Sequence, residues 1–205
     1  MYVKNDRSSF ILDLIESPEN ISVVADLGCN DGATLNGLKK SGMLTEDAKF
    51  HGFDYSDIPL KTIDFSFYKA DLNGDLGELS LVAREGVLIL LLDVLEHLHN
   101  PELFLSKLNH ILKENTEVVI TVPNASSIRL LHAWLKKDFP RKDIGFFDRT
   151  HRSWFSKNVL TRVLKKDFKI LKVGFIFSNN MLYQTIQKFF PERLTSQFYI
   201  YVSVK

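Results

Sequence analysis

Apolar and polar positions along the 205 residues switch repeatedly between two periods. Short β-branched, leucine-rich or aromatic runs at about 22–26, 49–54, 65–69, 87–92, 117–124, 168–177 and 197–205 predict seven strands. The run Val87-Leu88-Ile89-Leu90-Leu91-Leu92 contains no polar residue, as a strand buried on both faces requires. Between the runs the apolar residues recur at helical spacing. A short helix is expected at 10–15, stopped near Ser17-Pro18 because the residue before proline avoids the α region. A second follows Gly32, carries Leu35 and Leu38 inward and ends by Lys39-Lys40-Ser41-Gly42, where the lysines suit the negative end of its dipole. A third starts at Asn100-Pro101, a cap followed by a residue whose missing N–H costs nothing at the first helical position. Ser156 caps a fourth with Val159, Leu160, Val163 and Leu164 on one face, and 181–190 forms a further short helix. Strand and helix in turn read as an α/β fold.

The turn after the first run carries the chemistry. Val23-Val24-Ala25-Asp26-Leu27-Gly28-Cys29-Asn30-Asp31-Gly32 feeds a strand into a helix through a tight loop, and in open α/β sheets ligands bind beyond such strand ends. A dinucleotide loop needs a second glycine for its pyrophosphate, and that position is Asn30 here. Asp26 and Asp31 put negative charge where a phosphate would sit, with nothing basic in the loop to offset it. The loop therefore suits a cationic ligand that presents ribose hydroxyls. Asp54, at the tip of the second run and 22 residues after Gly32, is placed to accept from two adjacent hydroxyls; the alternative is a turn or cap aspartate.

Composition narrows the picture. With 45% hydrophobic residues, 25% charged and a net charge of +1, the chain suits one domain and gives no global reason to bind nucleic acid or membranes. Cys29 alone excludes an internal disulfide and reads as a small packed residue. No apolar run approaches the ~18 residues of a membrane span, and the polar start at 1–7 is not followed by a signal-like segment, so a cytoplasmic protein is expected.

The pattern Asp26-x-Gly28-x-Asn30-x-Gly32 resembles motif I of the Rossmann-like S-adenosylmethionine-dependent methyltransferases, with Asn30 in place of the middle glycine; Asn tolerates left-handed backbone angles. The segments Asp93-Val94-Leu95-Glu96-His97-Leu98, Asn100-Pro101, Val122-Pro123-Asn124 and Asp148-x-Thr150-His151-x-x-x-Phe155-Ser156 resemble the branch that includes ubiquinone-type and sugar or lipid methyltransferases. The resemblance implies a single domain over residues 1–205, a seven-stranded sheet with helices on both faces and an antiparallel last strand, and a lid inserted after strand five at about 125–155. It implies S-adenosylmethionine as cofactor, with contacts from Asp26, Gly28, Asn30, Gly32, Asp54, Tyr55, Asp71, Leu72 and Asp93. Of these, Asp71-Leu72 would flank the adenine, although residues 71–75 also read as a solvated turn.

Methyl transfer from a sulfonium is an in-line displacement, so the protein must align the acceptor, exclude water and, for some nucleophiles, remove a proton. His151, with Asp148 in the same motif, is the expected base; alternatively the Asp148-Thr150-His151 group fastens the lid to the sheet. Asp93, Glu96 and His97 fall at i, i+3 and i+4, one face of a helical turn, and with His151 could bind a divalent metal, but Asp93 reaches less far than a glutamate and no further His motif completes the set, so no metal is expected. Lys136, Lys137, Arg141, Lys142, Arg149 and Arg152 make the lid basic, which suits either a solvated face or a phosphate- or carboxylate-bearing small-molecule acceptor of sugar, lipid-linked or quinone type, methylated on O or N. A non-catalytic module of the same fold is the alternative. A nucleic-acid methyltransferase is less favoured, because the chain lacks the Asn/Asp-Pro-Pro-Tyr tetrapeptide of many amino-methylating enzymes, and nothing in the sequence addresses oligomeric state.

Overall fold

The predicted alternation of buried strands and amphipathic helices is realised in a computed structural model that describes residues 7–57, 65–177 and 181–205. Residues 1–6 of the polar start lie outside the described residues. The strands are β1 (Val23–Leu27), β2 (Lys49–Asp54), β3 (Ser66–Lys69), β4 (Val87–Leu92), β5 (Glu117–Pro123), β6 (Phe168–Ile176) and β7 (Gln197–Val204). They form one sheet in the order β3-β2-β1-β4-β5-β7-β6, parallel from β3 to β5, with β7 antiparallel to both of its neighbours. The last strand is thus antiparallel, as the resemblance implies, and inserts between β5 and β6.

Helices cover both faces. On one lie α1 (Ser8–Leu12) and α2 (Ala33–Ser41), whose Ile11, Leu35 and Leu38 pack with Val24, Leu88, Leu90 and Val119 of the sheet. On the other lie α3 (Pro101–Ile111) and α5 (Lys157–Leu164), whose Phe104, Leu105, Leu108, Leu160 and Leu164 pack with Val23, Ala25, Ile89, Leu91 and Ile120. Alternate residues of β1, β4 and β5 thus enter opposite cores, which explains why these runs are apolar throughout. The caps form as the sequence predicts: Asn100 accepts from the Leu103 amide (3.0 Å), and Ser156 from that of Val159 (3.4 Å).

Three elements complete the fold: α4 (Ile128–Leu135), α6 (Met181–Phe189) and α7 (Pro191–Leu194). The 125–155 segment leaves and rejoins the sheet at one point, where the Ala125 amide donates to the Phe155 carbonyl at 2.9 Å beside an Asn124–Phe155 bridge. Asn124, fully buried, donates through Nδ2 to the carbonyls of Glu192 (2.8 Å) and Thr195 (3.1 Å), tying this point to α7.

Candidate active site

Strand order reverses direction between β1 and β4, and a cleft opens beyond their carboxyl ends. A cavity of about 460 Å³ fills it, lined by the β1 loop (Asp26, Gly28, Asn30, Asp31), by Asp93 and His97 after β4, and by Arg7 ahead of α1. The loop is held open by backbone conformation. Gly28, Asn30 and Gly32 all have positive φ (+83°, +49° and +69°), so Asn30 adopts the left-handed angle for which its type is suited. The Gly28 and Cys29 amides donate to the Phe53 carbonyl (2.7 and 3.1 Å), and the Asn30 amide donates to Asp54 Oδ2 (2.8 Å). Asp54 Oδ1 accepts from the Ser56 amide (2.9 Å), so backbone N–H groups fix both of its oxygens at the rim.

A Cβ on Gly28 would lie 2.7 Å from Val94 Cγ2, and one on Gly32 would overlap the Phe65 ring. Gly28→Ala is therefore expected to cost about 1–3 kcal/mol through backbone strain and the clash, read as a lower midpoint of denaturant unfolding. Adding Val94→Ala should recover only the steric part.

Asp26 is buried at the cavity floor, and its Oδ1 has no hydrogen-bond partner among the described residues. Burial, opposed by the Arg7 guanidinium and reinforced by Asp54, pushes its carboxyl up to about 7. The folded chain thus keeps a proton that the unfolded chain releases above about pH 4. Stability that is present at pH 4 is lost as pH rises through about 7. Thermal unfolding of the ligand-free protein should show this fall, and Asp26→Asn should flatten it.

Asp93 also takes a left-handed backbone (φ +58°), which turns it away from the helical face that its spacing to Glu96 and His97 predicts. Its carboxylate instead receives Arg7 Nη2 (2.5 Å), Gln197 Nε2 (2.7 and 2.9 Å) and the Thr121 hydroxyl (3.1 Å). Arg7 and Gln197, 86 and 104 residues away in sequence, are absent from the sequence reading. Arg7, from outside the loop, adds a guanidinium to the wall that the carboxylates line.

Beside the cavity the 125–155 segment meets the loop after β4. The Arg152 and Ser153 amides donate to the Glu96 carbonyl (2.7 and 3.1 Å). The Thr150 hydroxyl donates to Asp148 Oδ1 (2.5 Å) and lies 3.0 Å from His97 Nδ1. One hydroxyl proton cannot serve both, so His97 Nδ1–H donates to Thr150. His151 lies behind His97, with ring centroids 4.8 Å apart, and packs its edge against Trp154. Its Nε2 is 4.0 Å from Glu96 Oε1, and its Nδ1 is buried with no partner among the described residues. Burial and the charge of Asp93 raise the Glu96 carboxyl well above its usual range. Burial and His97 lower His151, so its imidazole is neutral at pH 7. Burial opposes ionisation of Asp148, but the Thr150 hydroxyl and amide outweigh it and hold this carboxyl below its usual range. Glu96, His97 and His151 bring ligating atoms within 4.8 Å of one another and could hold a divalent cation, a set that Asp93 does not join.

Of the residues expected at a cofactor site, Asp26, Gly28, Asn30 and Asp93 line the cavity, and Asp54 stands at its rim through Asn30. Gly32 shapes the turn, and Tyr55 is exposed beyond Asp54. Asp71 accepts from the Asn73 amide and side chain (2.9 and 3.3 Å), a solvated turn, while Leu72 packs on the core. His97 lines the cavity; His151 and Asp148 do not.

Solved structures share this architecture. A methyltransferase from Archaeoglobus fulgidus described as S-adenosylmethionine-dependent aligns with 96% of this chain and 92% of its own at TM-score 0.63 and 18% identity. The plantazolicin methyltransferase BamL, in complex with a triazolic desmethylPZN analogue and S-adenosylhomocysteine, aligns with 98% and 85% at TM-score 0.65 and 14% identity. The N-methyltransferase NodS from Bradyrhizobium japonicum, in complex with S-adenosylhomocysteine, aligns with 98% and 87% at TM-score 0.60 and 13% identity. At these identities the likeness is one of fold. No curated protein sequence matches the chain. Residues 3–172, most of the chain, match the methyltransferase domain family, and this protein belongs to that family.

Proposed function

We propose that this chain transfers a methyl group from S-adenosylmethionine to an anionic small molecule. The observation that carries the reading is the cavity at the β1–β4 reversal, where a buried acid, a rim carboxylate and a guanidinium stand around a loop that any Cβ at Gly28 would disturb. That donor set fits the cofactor. Asp54, its oxygens steadied by two amides, keeps lone pairs for two ribose hydroxyls. Arg7 offers a cation to the methionine carboxylate, and Asp26 a carboxyl that ionises more readily beside a positive charge. Asp71 and Leu72 remain assigned to the adenine side, and Tyr55 to the cofactor site.

When bound, the cofactor supplies an electrophilic methyl group on a cationic sulfur. The chain's residues must then align the acceptor and take its proton. His151 is assigned as the base: its imidazole is neutral at pH 7 and stands directly behind His97, which lines the cavity. A second reading, with His97 as the base, is favoured by one observation: His97 lines the cavity, and Thr150, itself held by Asp148, accepts from its Nδ1 and turns Nε2 away from that contact. Residues 125–155 act as a lid, and their lysines and arginines attract the acceptor's phosphate or carboxylate.

The test has two stages. Calorimetry should detect adenosylmethionine binding that Arg7→Ala weakens by about tenfold, the value of one charged hydrogen bond. Methyl uptake from labelled cofactor should then favour phosphorylated sugars or lipid-linked and quinone-type acceptors over neutral analogues by at least tenfold in kcat/KM. Binding without uptake by any acceptor supports a non-catalytic module, and equal rates on neutral analogues remove the anionic assignment.

A further inference from the structure

Most surface helices turn their apolar side inward, and two here do not. On α4, Ala133 is the one fully buried side chain, while Ile128, Leu131 and Leu135 form an outward stripe at i, i+3 and i+7 with Trp134 beside it, each about half or more exposed. The chain continues through Phe139 and Ile144, also half-exposed. On α6, Ile186 and Phe189 lie one turn apart with Phe190 next to them, the phenylalanines 75% and 64% exposed. The two helices are linked through α7, which follows α6 directly and touches α4, and Asn124 locks α7 to the start of the 125–155 segment. A fold with two well-filled cores has no internal reason to leave so much aromatic and aliphatic surface in water.

The charge around this face points to what covers it. Residues 128–152 hold seven lysines and arginines against three aspartates, in a chain whose 26 basic and 25 acidic residues nearly cancel overall. Of those aspartates, Asp143 pairs with Arg149 (3.1 Å) and Asp148 is taken by Thr150. A second copy of the chain would set this basic rim against its own equivalent across a two-fold axis, opposing like charges. A nucleic acid would match the charge but would leave the tryptophan and phenylalanines uncovered. Apolar side chains fringed by lysine and arginine match the boundary between headgroups and acyl chains of a negatively charged bilayer. At eight and nine residues, α4 and α6 are too short to cross a membrane, and their stripes are suited to lying in its surface plane.

We propose that the exposed apolar stripes of α4 and α6, with the basic residues of 128–152, dock this chain on the surface of an anionic lipid bilayer. The segment that would dock is also the one whose Thr150, Arg152 and Ser153 bond to Glu96 and His97 beside the cavity. Docking therefore orients the site toward a membrane-borne acceptor. The docking itself is independent of methyl transfer and is measured without cofactor.

Flotation with vesicles of phosphatidylcholine alone and of a 7:3 mixture with phosphatidylglycerol, at low and high salt, tests the idea on the full chain. The expected result is binding to the anionic vesicles at least tenfold tighter than to the neutral ones, weakened by salt. Trp134→Ser with Phe189→Ser, and separately Lys136→Glu with Lys137→Glu, should each reduce it at least tenfold while calorimetric affinity for adenosylmethionine is unchanged. Trp134 is one of two tryptophans, so in a Trp154→Phe background its fluorescence should shift to the blue as vesicles are added. No binding to anionic vesicles, or binding that the substitutions leave intact, overturns the proposal. So does sedimentation as a dimer that Trp134→Ser with Phe189→Ser converts to monomer, because a second copy would then own the face.

Discussion

Asp54→Ala should bind S-adenosylmethionine roughly 10- to 100-fold more weakly than the native chain, the loss expected when hydrogen bonds to a charged group are removed from a ligand. The carboxylate is held by the amides of Asn30 and Ser56, so its ligand-facing lone pairs are positioned before anything binds. Asp54→Asn keeps one acceptor oxygen and should give an intermediate loss. S-adenosylhomocysteine has the same ribose but no sulfonium charge, and it should lose as much affinity as the cofactor. A much larger loss for the cation would mean that Asp54 acts through charge rather than through hydroxyl contacts. Unchanged affinity for both would remove Asp54 from the site, and with it the main reason for placing the nucleoside beyond β2.

His151→Ala should lower kcat by about 10²-fold or more while leaving cofactor affinity as it was, the range expected when a general base is lost. The sign of the pH dependence follows from burial and the neighbouring His97, which hold the imidazole below its ordinary 6.5. The base works when neutral, so activity should be level at pH 7 and fall as pH drops through a value under 6.5, a limb that His151→Ala abolishes. His97→Ala separates the two assignments. If His97 is the base, its loss removes the acid limb and His151→Ala only perturbs it; if His97 merely anchors the 125–155 segment, rescue by His97→Asn, which can still donate to Thr150, should restore rate. Turnover that survives exhaustive chelation would assign Glu96, His97 and His151 to proton handling alone, and activity restored by one divalent cation would make them its ligands.

The parts of this molecule legible in the sequence are those governed by neighbouring residues. The uninterrupted run at 87–92, the Asn100-Pro101 start of α3 and the positive-φ positions Gly28, Asn30 and Gly32 each state their local conformation in their own side chains. Arg7 and Gln197 escaped because nothing near them in sequence says that they converge on Asp93; the sheet brings them there. Asp93 itself defeats spacing arguments, since one left-handed residue before the Leu95–His97 turn redirects its side chain and breaks the face it was expected to share with Glu96. The protonation of Asp26 is likewise a property of burial, which a formal charge read from sequence cannot carry. Asp71 shows the reverse case, a motif position whose carboxylate is satisfied by its own turn.

The adjoining exit and return at Ala125 and Phe155 give the sheet a modular socket. Because the two ends are pinned side by side, exchanging what lies between them alters closure entropy only slowly with length. The segment between them can therefore be exchanged while the strands and the β1 loop fold as before, and with it acceptor preference on the proposed role of that segment.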